Sequence, residues 1–199
     1  MHGLINRSLE GFIRDTYGKN TWKDVAKAAD LGFDSFESML EYDDALTYAV
    51  LDAAAALLVK PRETLLEDMG TYLVSNPKVE ALRRLLRFGG VTYIEFLHSL
   101  EDLHERAKLA VPELHLPQLH LSGQPQTGDL KLVCAGGYVG FGHVLLGLLR
   151  AMADDYGALV LLDGIDKGNG SGEISIQLVE ASFADGRDFS LANPDAGAT

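Results

Sequence analysis

The chain has 199 residues, 17 Lys+Arg against 29 Asp+Glu, and a formal net charge of −12. That balance argues against nucleic acid and anionic membrane as partners, because both require a positive surface. A single cysteine, Cys134, excludes an internal disulfide and a cysteine-rich zinc site.

With 47% hydrophobic residues, the length suits one domain with a sizeable core. Reducing cytoplasm is the expected compartment. Arg7, Glu10 and Arg14 in the first turns are not those of a signal peptide. The longest apolar stretch, Ala45 to Val59, is interrupted by Asp52 and is too short to span a bilayer.

Leu4 to Tyr17 places Ile5, Leu9, Phe12, Ile13 and Thr16 on one helical face and stops at Gly18. Thr21 and Asp24 read as a capping box opening a second helix that ends at Gly32. Phe33 to Tyr42 is a connector, and Asp43 and Asp44 open an alanine-rich helix to Val59. Pro61 takes the first position of a helix that reaches about Val74 and breaks before Pro77. Val79 to Phe88 is the next helix, closed by Gly89 and Gly90, followed by one amphipathic helix over Thr92 to Lys108.

The pattern changes after Pro112. Gln118–Ser122 and Asp129–Val133 read as strands about a Gly- and Pro-containing turn. Phe141 to Tyr156 is a helix with an apolar stripe of Phe141, Val144, Leu145, Leu148 and Met152. Leu159–Leu162 and Glu173–Val179 form a hairpin around Asp163–Gly172, with Ile174, Ile176 and Leu178 alternating as in a half-buried strand. The fold class is therefore α+β, a helical N-terminal lobe followed by an α/β lobe with an antiparallel sheet. One domain covers residues 1–183, divided near residue 60, and residues 184–199 are expected as a flexible tail, disordered from Asn193.

Of six histidines, none belongs to an HExxH pattern or a dense metal cluster. At about 100° per residue, His104 lies within about 40° of Tyr93, Leu97 and Leu100, whereas His98 points away. An imidazole aimed at apolar surroundings needs partners. Two readings stand: a core histidine bonded to a backbone carbonyl, or an axial metal ligand in an apolar pocket, as a haem site requires.

The opening Met1-His2-Gly3-Leu4-Ile5-Asn6, the stretch Phe12-Ile13-Arg14-Asp15-Thr16-Tyr17-Gly18, and Glu95-Phe96-Leu97-His98-Ser99-Leu100-Glu101-Asp102-Leu103-His104 bear on that choice. Together, over residues 1–183, they resemble haem-nitric oxide/oxygen-binding (H-NOX) domains, the sensor domain of soluble guanylate cyclase. The resemblance implies the lobe order above, haem b as cofactor, His104 as iron ligand and Pro117 against the porphyrin, with Pro112 matching a second proline of some members. It also implies that nitric oxide weakens the iron–His104 bond and moves the helix that carries it. Ile5, Leu73, Val144 and Leu148 resemble the distal pocket positions. All four are aliphatic and donate no hydrogen bond, so the expected ligand is nitric oxide over oxygen. A shifted alignment puts His143 in the pocket instead, although its helical angle opposes the apolar stripe.

One motif departs from the family. Its haem-propionate motif is Tyr-x-Ser-x-Arg, and the corresponding region, Val133-Cys134-Ala135-Gly136-Gly137-Tyr138-Val139-Gly140, has no serine, with no arginine between Arg106 and Arg150. Two propionates lose a bidentate guanidinium and hydroxyl donors; Lys131, the nearest basic residue in sequence, is only a point charge.

The resemblance thus implies a stand-alone, non-catalytic sensor that signals to a separate protein, commonly a histidine kinase or a cyclic-di-GMP enzyme, which would meet the acidic surface with a basic face. The alternative is an interaction module that kept the fold and lost haem, or that binds a tetrapyrrole with modified side chains. Cys134 with His143 as base is a weaker enzyme reading, against a buried strand-end thiol. Gly164–Gly172 reads as a hairpin loop rather than a phosphate loop. Lys78, Arg83, Arg84 and Arg87 read as a solvated basic helix face.

Overall fold

The computed structural model describes residues 1–189. Six helices come first: α1 Gly3–Thr16, α2 Lys19–Ala28, α3 Asp44–Leu58, α4 Arg62–Ser75, α5 Glu80–Arg87 and α6 Tyr93–Ser99. Then follow α7 Leu103–Ala110, β1 Gln118–Gln124, β2 Asp129–Ala135, α8 Phe141–Tyr156, β3 Leu159–Asp166 and β4 Gly172–Glu180. The α+β architecture agrees with the sequence reading, with several local differences.

The opening residues explain themselves once folded. His2 is buried and caps α1, its Nδ1 accepting the Leu4 N–H. A Cβ on Gly3 would lie 2.0 Å from the Glu37 carbonyl oxygen, so the connector passes where only glycine fits. Asn6 accepts from the Thr47 hydroxyl at 2.6 Å, tying α1 to α3. Glu10, 1% exposed, accepts from Arg7, Arg14, Ser35 and the Phe36 N–H, which fixes the connector against α1.

The capping box expected at Thr21 is absent: α2 begins at Lys19 after Gly18, and the Thr21 hydroxyl donates to the Tyr17 carbonyl. The single helix expected over 92–108 is two. Between α6 and α7 the N–H groups of Leu100, Glu101 and Leu103 bond to carbonyls three residues back. Each such step turns the chain by about 120° instead of about 100°. The helical phase that placed His104 beside Tyr93 therefore does not carry across the break.

The sheet is antiparallel throughout, in the order β1-β2-β4-β3. Leu121 faces Leu132, which faces Ile174, and Leu130 faces Ile176, so the apolar alternation of three strands lands on one side. That side meets Leu145, Leu149 and Met152 of α8. A second core gathers Leu9, Phe12, Ile13, Val50, Leu51, Leu65 and Met69 from α1, α3 and α4. The two cores divide at the end of α4 rather than near residue 60, because α4 sends Leu65 and Met69 into the first and lies against α8 of the second.

That α4–α8 contact is made by glycine. A Cβ on Gly70 would sit 2.0 Å from the Val144 carbonyl oxygen, and one on Gly147 would sit 1.9 Å from the Glu67 carbonyl oxygen. Each helix thus presents its bare backbone to the other.

Residues 184–189, placed in the tail by sequence, are held. Ala184 N–H donates to the Gly157 carbonyl and Arg187 N–H to that of Asp155. The fully buried Asp155 carboxylate faces Arg83 at 2.7 Å, Arg87 at 3.5 Å and Arg187 at 3.7 Å. Arg83 and Arg87 are thus inward-turned, correcting the solvated basic face, while Lys78 pairs with Asp15. Asn193 and the rest of 190–199 lie outside the described residues.

Gly147→Ala and Gly70→Ala should each destabilise the protein by about 1–3 kcal/mol, since backbone cannot yield to the new methyl. Gly11→Ala is the contrast: its Cβ meets only the Tyr72 hydroxyl at 3.4 Å, and a mid-helix alanine gains about 0.5–1 kcal/mol. Thermal melts should show the first two falling by several degrees and the third unchanged or raised. Equal Tm values for all three would contradict the close approach.

Candidate functional site

Between the two cores lies a cleft enclosing about 1240 Å³ of atom-free space, part of it open to solvent. The α4–α8 contact builds one wall: Leu66, Met69 and Leu73 come from α4 and Val144, Leu145 and Leu148 from α8. Ile5 and Leu9 of α1, Leu51 of α3 and Leu86 of α5 add to it. Leu100, Leu103, Leu114 and Leu116 close the far side. Leu73, Val144 and Ile5 stay half-buried although each points inward, because the space they face is empty of protein. A cavity of this size and lining accepts a large apolar molecule.

Of the six sequence-selected residues, Ile5, Leu73, Val144 and Leu148 line the cavity. His104 and Pro117 are not lining side chains, but their neighbours Leu103 and Leu116 are. The His104 Nδ1 lies 2.5 Å from the Leu116 carbonyl oxygen. A carbonyl only accepts, so Nδ1 carries the proton and Nε2 of the neutral ring keeps its lone pair. The nearest side chain to Nε2 is the Glu105 carboxylate, 3.9 Å away and beyond hydrogen-bond reach. The two sequence readings of this histidine thus meet in one side chain, with a backbone partner on one nitrogen and the other nitrogen open. Pro117 is buried against the loop before α8, close to Gly137.

His143 does not enter the cavity. It sits between Glu67, 3.7 Å from its Nδ1, and Asp166, 3.9 Å from its Nε2. His2 is the α1 cap, His115 bonds the Glu113 carbonyl, and His120 pairs with Glu101. Among the described residues no three His, Cys, Asp or Glu side chains gather as a metal site. Cys134 is a buried strand residue facing the core, and burial, with Asp166 adding to it, pushes its thiol up to about 11.

Sequence reasoning missed the mouth. Tyr48 and Tyr138 both line the cavity, and the Val139 N–H donates to the Tyr48 hydroxyl. Tyr48 was legible as the one aromatic ring in the otherwise aliphatic and alanine-rich α3. The region of the Tyr-x-Ser-x-Arg motif supplies Tyr138 but neither the serine nor the arginine. The apolar walls fit the ring of a haem, while His104 stands outside the lining next to Leu103. The mouth does not fit its two ionised carboxylates, because no lysine or arginine side chain lines the cavity among the described residues.

Comparison with known proteins places these features. The family model described as Haem-NO-binding matches residues 2–161. Soluble guanylate cyclase gcy-31 of Caenorhabditis elegans is 26% identical over 155 residues, 78% of this chain and 22% of that protein. Soluble guanylate cyclase 89Db of Drosophila melanogaster is 24% identical over 159 residues, 78% of this chain and 23% of that protein. The chain therefore spans under a quarter of the curated relatives it matches. Among solved structures, the Fe(II) unliganded H-NOX protein from K. algicida superimposes with a TM-score of 0.74 at 18% identity, covering 90% of this chain and 97% of that one. The H-NOX protein from S. oneidensis in the Fe(II)NO state gives 0.74 at 16% identity, covering 89% and 99%. At these identities the likeness establishes the fold.

Burial of Cys134 predicts an inert thiol. With a pKa near 11, only about a thousandth is thiolate at about pH 8. Ellman's reagent should react with it slowly in the native protein and rapidly once urea unfolds the chain. Fast reaction in the native state would contradict its place in the core.

Proposed function

The chain belongs to the haem-NO-binding family, whose domains are gas-sensing haem modules rather than catalysts, and on that premise we propose that it senses nitric oxide through a haem b held by His104. The observation that carries this reading is the His104 ring: its Nδ1–H is fixed on the Leu116 carbonyl, and its neighbours Leu103 and Leu116 line the apolar cavity. A hydrogen bond to one ring nitrogen orients the ring and raises the basicity of the other. When bound, the haem supplies the iron to which nitric oxide attaches. Ile5, Leu73, Val144 and Leu148 exclude water and offer bound gas no hydrogen-bond donor, which favours nitric oxide over oxygen. Pro117 holds the loop before α8 against the segment bearing Leu116.

Signal output fits the way α7 is attached. It carries His104 yet buries none of its own residues. Its ties are the His104–Leu116 bond, an Arg106 bond to the Leu85 carbonyl of α5, the half-buried Leu103 and, just before it, Glu101, which accepts the Leu121 N–H and pairs with the His120 ring. An element with so little buried surface moves at low cost, so a change in the pull on His104 displaces α7 while α4 and α8 stay put. A receiver such as a histidine kinase or a cyclic-di-GMP enzyme would offer a basic face toward this chain of net charge −12.

The uncharged mouth is the one observation that favours the competing reading, an interaction module without haem. Absorption spectra decide. Protein supplied with haem should show a Soret band that moves on adding nitric oxide, and its ferrous form should make no stable oxygen complex. His104→Gly should lose that band position, and free imidazole should restore it. A spectrum identical in His104→Gly protein would remove His104 as ligand, and no band in either protein would leave the haem-free module.

A further inference from the structure

The mouth of the cavity contains hydrogen-bond donors but no free cation. Ser8 and Thr47 also line the cavity, but their hydroxyls donate to the Leu4 carbonyl and to Asn6. Tyr48 accepts the Val139 N–H and so keeps its own proton to give. The Tyr138 hydroxyl has no hydrogen-bond partner among the described residues. Two phenolic O–H groups are therefore available at the rim.

The charges around them are mostly negative. Asp44 and Glu41 push the Tyr138 phenol upward, adding to its burial. Asp44 does the same to Tyr48, opposed by Arg62. Both nearby cations are already committed: Arg62 pairs with Asp52, and the Met1 ammonium donates to Asp44 at 2.5 Å and to the Tyr42 carbonyl at 2.7 Å. An ionised carboxylate brought here would trade its hydration for two neutral donors, with the nearby cations already paired to Asp44 and Asp52, which disfavours the charged form. An uncharged carboxyl or ester would lose little and would still accept from both phenols.

We infer that this mouth selects a tetrapyrrole whose carboxyl edge is uncharged, esterified or protonated, and that Tyr48 and Tyr138 hold that edge by donating to it. The inference rests on the haem reading above and adds the chemistry of the edge. Tyr48 is here a specificity-determining side chain.

The test is a Soret titration of cofactor-free, full-length protein with haem b and, separately, with its dimethyl ester. At about pH 8 the ester should bind at least roughly tenfold more tightly, the scale of one hydrogen bond or charge imbalance. Toward about pH 4.5, near the carboxyl pKa of about 4.3, the free acid should narrow that gap as its carboxyl groups protonate, while ester binding stays flat; a gap that persists there identifies the ester alone as the ligand form. Tyr48→Phe should weaken the ester several-fold with an unchanged circular dichroism spectrum. Equal affinity of wild-type protein for acid and ester at about pH 8 overturns the inference while leaving the haem reading intact. Failure of both to bind overturns both.

Discussion

The bare-backbone contact between α4 and α8 is the constraint on which the rest of the structure depends. Gly70 and Gly147 let the two helices approach until a Cβ on either would lie about 2 Å from a carbonyl oxygen. The helices belong to different cores, so this is where the lobes join. Because they touch through backbone, their long side chains are displaced to either side of the contact. Leu66, Met69 and Leu73 on one and Val144, Leu145 and Leu148 on the other then converge on the cavity wall.

Charge is used to hold segments in place around that joint. Asp155, at the end of α8, gathers Arg83, Arg87 and Arg187, so α5 and the segment after β4 both close on the same helix. Arg87 also lies 3.9 Å from the centre of the Tyr156 ring, an arrangement that suits a guanidinium over an aromatic face. Glu10 does equivalent work in the first lobe, where five polar contacts from helix and connector meet one buried carboxylate. A buried charge with this many partners costs most when one is removed, so these segments are fixed. The segment bearing His104 is built in the opposite way, with no residue of α7 buried. The contrast between a fixed frame and a loosely held histidine is what a sensor requires.

Periodicity made most elements legible. The α8 stripe of Phe141, Val144, Leu145 and Leu148 is the cavity wall, and the alternation of Ile174 and Ile176 is the inward face of β4. Two kinds of information were not local enough to read. The break between α6 and α7 falls where the Ser99 hydroxyl bonds back to the Phe96 carbonyl of its own helix and the Glu101 carboxylate reaches across to β1, and no helical period records that. Arg83 and Arg87 read as surface because their partner Asp155 is about seventy residues away. Val144 and Leu148 were found because a family pattern and an independent helical stripe agreed, and Ile5 and Leu73 came through the resemblance. Tyr48 was missed because nothing in its own helix marks it as facing Tyr138. The missing serine and arginine were legible in sequence, and only the fold showed Tyr48 and Tyr138 lining the mouth.

These elements combine into one account: a glycine-joined frame, an apolar cavity between its two cores, and an imidazole whose tautomer is set by a backbone carbonyl on a segment free to move. Its central claim is that the open nitrogen of His104 holds the haem iron. Resonance Raman spectroscopy of the ferrous protein tests it most directly. The account predicts an iron–histidine stretching band that shifts when histidine is labelled with nitrogen-15 and is absent from His104→Gly protein. A band that persists unchanged in that variant, or a ferrous haem with no histidine band in the unsubstituted protein, would contradict it.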